Sequence, residues 1–187
     1  MHKYPLQHFV LALAISLFLM SCGDKDDDSA SNIHAEPCNY LTEALVKSAY
    51  GLSDDFEIEN KPSYGSIPIC SYGWEIGTGT YSVSLNFSPS GKVSNDQAER
   101  DWESQNETVY KEYEIEEVNN VGERATWTTL GHGQLRVLYK GYLFYVNASY
   151  VVLEPQENSP FPKPVTRDHE LMKERAITIA KAIVNKL

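Results

Sequence analysis

Histidines and carboxylates are the side chains through which this chain could do acid–base, metal or hydrolytic chemistry, and their spacing favours little of it. After the first ten residues the histidines are His34, His132 and His169. No two stand at the helical or strand separations that bring imidazoles onto one metal. His34 lies in a polar stretch, His132 between two glycines reads as a hairpin tip, and His169 falls in the first turn of a helix; all three read as solvated. The chain has no Gly-x-Ser-x-Gly elbow and no glycine-rich phosphate loop after a strand. Carboxylates are more suggestive. Alternation places Glu112, Glu114 and Glu116 on one strand face, with Tyr113, Ile115 and Glu117 opposite. This row reads as a solvated face that keeps an edge strand from aggregating. The alternative is a hydrolase with two acids that meet only in three dimensions. No catalytic residue, cofactor or metal is assigned from the sequence.

Aromatic residues are the one lean towards binding. There are twelve tyrosines, several on the run from Tyr142 to Val152. Tyr142, Phe144, Val146, Ala148, Tyr150 and Val152 share a face and read as core. Tyr145 falls with Leu143, Asn147 and Val151 on the other face, which is too apolar to be simply wet. Either a helix covers that face, the terminal helix being the natural cover, or Tyr145 marks a partner surface suited to protein or glycan contact.

The elements that must position these residues begin after an N-terminal leader. Lys3 precedes an apolar run from Phe9 to Met20, too short for a bilayer span of about 20 residues and fitting a secretory signal. Leu19-Met20-Ser21-Cys22 then resembles the bacterial lipobox, with Met20 where a small residue is commoner. The resemblance implies cleavage after residue 21 and lipidation of Cys22. Several acyl chains, at about 0.8 kcal/mol per buried methylene, give an anchor without a span. Gly23-Asp24-Lys25-Asp26-Asp27-Asp28 resembles the acidic export signal of surface lipoproteins in Bacteroidota. It implies the outer membrane and its outer face, with Asp24, Asp26, Asp27 and Asp28 as the signal. A calcium loop on the alternating aspartates fails, because Ser29 and Ala35 stand where glycine and glutamate are needed. Asp28-Ser29-Ala30 resembles a short O-glycosylation motif of the same bacteria.

Residues 22–36 therefore read as a lipidated cysteine and a disordered acidic tether. Its fourteen residues after Cys22 reach on the order of 20 Å. Residues 37–187 read as one domain. The whole chain has 187 residues, 16 Lys+Arg and 26 Asp+Glu, for a net charge of −10; losing the leader removes one lysine. That sign argues against nucleic acid as a partner. With Cys22 given to lipid, Cys38 and Cys70 are left as an even pair in an oxidising compartment, and a disulfide is expected.

Three helices are expected. Thr42 caps the first, with Leu41 and Val46 as its staple and Gly51 as its stop. Ser94 and Gln97 form a capping box for the second, over about 95–106, whose apolar face is only Ala98 and Trp102. The last is expected to start from Thr166 as cap, with Met172, Ala176, Ile179, Ala180, Ile183 and Leu187 as one stripe. Between them the period is two. Ile67–Ile76 and Tyr81–Ser88 read as a hairpin, Tyr113–Val118 as a further strand, and Arg124–Leu130, Gln134–Tyr139 and Tyr142–Val152 as a meander. Glu154–Pro164, with four prolines, reads as a loop. The fold class is α+β: an antiparallel β-meander sheet packed with an N-terminal, a middle and a C-terminal helix. A helix followed by a Trp-bearing hairpin occurs twice, around Trp74 and Trp127, and reads as a duplication.

The body is similar to a family of uncharacterised actinobacterial lipoproteins. The residues that carry the likeness are Pro37-Cys38 with Leu41-Thr42, Gly51, Cys70 and Trp74, Gly122 and Ala125, and the closing amphipathic helix. The resemblance implies a disulfide near the first helix and an extracytoplasmic role, and brings no activity. The expected function is a lipid-anchored, surface-exposed outer-membrane protein that binds a protein or glycan partner. The alternatives are an envelope hydrolase using acidic residues and an accessory subunit of an outer-membrane complex.

Overall fold

Where the sequence period changes to two, the chain builds an antiparallel sheet, as a computed structural model of the protein shows. The structure describes residues 35–64, 66–157 and 159–187. The leader, Cys22, Asp24, Asp26, Asp27, Asp28, Ser29 and His34 lie outside the described residues. Two helices come first, the four-residue α1 (Pro37–Tyr40) and the eight-residue α2 (Glu43–Tyr50). The strands are β1 (Glu59–Asn60), β2 (Ser63–Tyr64), β3 (Pro68–Ile76), β4 (Gly79–Phe87), β5 (Glu116–Glu117), β6 (Arg124–Thr128), β7 (Gln134–Tyr139), β8 (Tyr142–Gln156) and β9 (Ser159–Thr166). Helix α3 (Asn95–Thr108) falls between β4 and β5, and α4 (His169–Val184) ends the fold. The sheet runs β1-β3-β4-β8-β7-β6-β5, with β2 also on β3 and β9 also on β8. Helices and an antiparallel sheet make this an α+β fold.

One sheet face carries the main core. Cys70, Leu85, Val146, Leu135 and Trp127 lie in one register row across five strands. Against this face pack Val46 and Ala49 of α2 and Met172, Ala176, Ile179, Ala180 and Ile183 of α4, all buried. The caps work as their chemistry requires. The Thr42 hydroxyl accepts from the Leu45 N–H, the Ser94 hydroxyl accepts from the Gln97 N–H, and Gly51 closes α2 at φ 67°. A disulfide joins Cys38 to Cys70, with Cα atoms 5.0 Å apart. It ties α1 to the third residue of β3. Ala35 already packs against the core, so the body begins slightly before residue 37.

The opposite face is covered by α3, through Ala98 and Trp102 on Leu138 and Leu143. The two helix-and-hairpin units are thus not repeats: α2 lies on one face of the sheet and α3 on the other.

Four further expectations are corrected. Glu154–Pro164 is no loop, because β8 continues to Gln156 and β9 pairs back onto it. The Arg167 N–H donates to the Tyr150 carbonyl, so in this register Pro162 and Pro164 turn their missing N–H positions away from β8. Prolines are tolerated on such an edge, and they stop further strands from adding there. Thr166 does not cap α4; Asp168, left-handed at φ 52° and without a side-chain cap bond, precedes it, and Thr166 ends β9. Tyr113–Val118 shortens to β5, since only Glu116 and Glu117 find partners, on β6. The cover over Tyr145 is α3, not the terminal helix.

The β7–β8 turn shows how tightly the pieces meet. Lys140 and Gly141 both have positive φ, 48° and 77°, as a two-residue hairpin turn requires. A Cβ on Gly141 would strike the Val93 carbonyl oxygen. Gly141→Ala combines backbone strain with a clash against main chain, and is expected to destabilise by about 3 kcal/mol or more. A urea midpoint within error of the parent would disprove this tight approach of the 88–94 segment.

Candidate functional site

Strand β1 is only two residues long, and that shortness opens a groove. Its pairing covers β3 at Tyr72 and Gly73, and the Lys61 N–H adds a bond to the Ser71 carbonyl. Beyond Gly73 nothing on this side continues the ladder. The chain instead bows away through residues 55–58, leaving an open groove of about 620 Å³ against Gly73, Trp74 and Glu75. Glu43 and Lys47 of α2, Glu59 and Lys61 at β1, and Thr80 of β4 complete its lining.

Charge in the groove is unevenly matched. Lys47 pairs with Glu43 at 2.7 Å and donates to the Asp54 carbonyl at 2.6 Å, while Lys61 pairs with Glu59 at 2.7 Å. Asp55, Glu57 and Glu75 make no ion pair among the described residues. The Ser53 hydroxyl, with the Asp55 backbone N–H, holds the Asp55 carboxyl below its ordinary range. Glu103, remote from the groove, is held low by the Arg124 guanidinium and the Asn106 amide. Both shifts oppose what a general acid needs near neutral pH.

Apolar groups form the inner wall. Phe56 and Ile58 are half-buried against the core. Trp74 is 5% exposed, and its indole Nε1 is buried with no hydrogen-bond partner. Its ring meets Tyr50 edge-on at 4.7 Å and stacks on Tyr81 at 5.5 Å, and Tyr81 stacks on Tyr150 at 4.3 Å. The row follows cross-strand register from β3 to β8. Gly79 makes room for it, since a Cβ there would strike the Tyr150 ring. Burial pushes the Tyr50 hydroxyl well above its ordinary pKa.

The residues singled out by sequence fall elsewhere. Tyr145 is half-buried under α3, its hydroxyl donating to and accepting from the Gln105 side chain at 2.9 and 2.7 Å, so it is not an open partner surface. His132 Nδ1 lies 2.7 Å from the Thr166 hydroxyl, tying a hairpin tip to the end of β9. Glu116 pairs with Lys173 at 2.5 Å, which fastens the short β5 to α4. Glu112 and Glu114 are exposed, and no group of three His, Cys, Asp or Glu among the described residues is placed to hold a metal. The sequence did carry a signal for the groove: Phe56 and Ile58 alternate with Glu57 and Glu59, an amphipathic edge without a full strand.

Sequence reasoning also missed a buried cation. Arg136 of β7 is 1% exposed, with its guanidinium 3.7 Å from the Trp102 ring centre and 4.2 Å from that of Tyr110. It donates to the Trp102 carbonyl and the Gln105 side chain, each at 3.4 Å, and to the Asn106 side chain. All three acceptors are neutral. Beside it, Tyr110 donates to Gln134, Gln134 to Asn147 at 2.9 Å, and Asn147 to Ser84 at 3.1 Å. This network holds α3 to the sheet.

No protein-family model matches the chain, and neither the curated proteins nor the solved structures searched contain a significant match.

Proposed function

We propose that the protein is a lipid-anchored, surface-exposed outer-membrane protein whose body binds a protein or glycan partner at the groove beside β3. The observation that carries the envelope reading is the Cys38–Cys70 disulfide, because such bonds persist in oxidising compartments. Its position fits a tethered protein. Cys38 lies just past the tether, so tension on the anchor passes covalently into β3. The lipobox-like residues ending at Cys22 and the acidic stretch Asp24 to Asp28 supply the anchor and the address. The groove supplies the binding surface, with polar groups left unmatched on an exposed face.

Each part has its own test. Cys22→Ala is expected to move the protein from the membrane fraction to the soluble envelope fraction; unchanged retention in membranes would refute the anchor. Replacing Asp26, Asp27 and Asp28 by alanine is expected to abolish digestion by protease added to whole cells while membrane association stays. For binding, a photo-crosslinking residue at Glu57 in living cells is expected to trap a partner, whereas one at exposed Glu112 is not. Equal trapping at both positions, or none at Glu57, counts against the groove.

A further inference from the structure

We infer that the groove takes an extended peptide segment bearing lysine or arginine, donated by a partner protein; this rests on the reading that the body binds a partner there. Three unmatched features lie among the residues that line the groove. The first is the carboxylates of Asp55, Glu57 and Glu75, which no ion pair among the described residues engages, while the neighbouring Lys47 and Lys61 are already spent on Glu43 and Glu59. They call for a cation.

The second is the indole N–H of Trp74, buried without an acceptor on a residue that lines the groove. It calls for an oxygen. A buried donor left unpaired costs free energy, and a peptide carbonyl that reached it would recover that cost. A bare cation carries no such acceptor.

The third is main chain. The Lys61 N–H donates to the Ser71 carbonyl, and Glu59 lies opposite Gly73. Alternation along β3 therefore turns the N–H and C=O of Ser71, Gly73 and Glu75 towards this edge. Strand β1 stops at Glu59, so the main-chain groups of Glu75 face the groove outside any ladder. An extended peptide can extend the ladder by one residue, in the manner of strand addition to a sheet edge. Glycan fits less well, because sugars stack on open aromatic faces, and the Trp74 ring is covered by Tyr81 and Tyr50.

The test is binding of a fluorescent hexapeptide of alternating arginine and alanine to the full-length protein in detergent micelles at about 0.15 M salt, where surface attraction is screened beyond about 8 Å. The triple variant Asp55→Asn, Glu57→Gln, Glu75→Gln is expected to weaken binding at least tenfold. The control triple Glu112→Gln, Glu114→Gln, Glu117→Gln removes the same charge elsewhere and is expected to change it less than twofold. A backbone N-methylated version of the hexapeptide, which keeps its charge, is expected to bind at least fivefold more weakly. Equal losses in the two triple variants, or no loss on N-methylation, would overturn the proposal, and so would a wild-type protein that ignores the arginine peptide. In that last case, crosslinking from Glu57 in cells still reports whether a partner binds there, so the peptide chemistry can fail while the partner reading stands. Unchanged near-ultraviolet circular dichroism of each variant shows that the fold is intact.

Discussion

Reducing the Cys38–Cys70 disulfide is expected to lower the stability of the body by about 3–4 kcal/mol without unfolding it. The two cysteines are 32 residues apart in sequence, and closing a loop of that size removes conformational entropy from the unfolded chain by about that amount in the chain-entropy view. For a domain of this size the loss corresponds to a fall of roughly 10 °C in Tm. The fold should survive because its first segment is also held by packing. Leu41, Val46 and Ala49 are buried in the main core, Tyr40 meets Phe87 edge-on at 5.4 Å, and the Arg175 guanidinium donates to the Ala49 carbonyl at 2.6 Å. A body this large buries enough apolar surface to fold without a staple. Urea unfolding of oxidised and reduced protein isolates the cross-link, since reduction leaves both sulfur atoms in place. Cys38→Ala with Cys70→Ala should cost somewhat more, because Cys70 is fully buried and its loss leaves a small void. A reduced protein within 1 kcal/mol of the oxidised one would show that the loop is held equally well in the unfolded state.

That disulfide was legible in sequence because cysteine arithmetic needs no geometry: one cysteine went to the lipobox-like motif and two were left. The same holds for features set by local chemistry. Thr42 and Ser94 announced their helices through hydroxyls that cap them, and the strict alternation Tyr81, Val83, Leu85, Phe87 announced β4. Legibility failed where a long-range partner decided the outcome. The prolines of β9 argue for a loop unless β8 is known to offer an edge whose far side needs no donors. Asp168 takes a left-handed turn ahead of α4, which no capping preference predicts. Tyr145 was rightly suspected of having a cover, but α3 shows only Ala98 and Trp102 as apolar face, so its pattern pointed to the stronger stripe of α4. The groove escaped for a related reason. It arises from where β1 stops, and a strand's end depends on the neighbour it pairs with.

Arg136→Ala is expected to cost about 3–4 kcal/mol and to loosen α3 before anything else. The guanidinium stacks between Trp102 and Tyr110, and desolvated contacts of this kind are worth roughly 2 kcal/mol each. Truncation also strips donors from the side chains of Gln105 and Asn106. Burial pulls the Arg136 pKa down from its ordinary value, yet an arginine so far above neutrality stays charged. The cost of burying that charge without a carboxylate is therefore already part of the native state. Arg136→Met should recover much of the loss, because it fills the slot and removes the charge that had to be desolvated. Arg136→Lys should recover little, since a compact, strongly hydrated ammonium neither stacks between two rings nor reaches three acceptors at once. The order of stability is thus expected to be arginine, methionine, then lysine close to alanine. Hydrogen exchange decides whether the effect lies in α3. Amides of residues 99–108 should lose protection in Arg136→Ala at low denaturant while those of β4 and β8 keep theirs. Uniform loss across the sheet would mean that α3 unfolds together with the body, and that its clamp serves the whole domain.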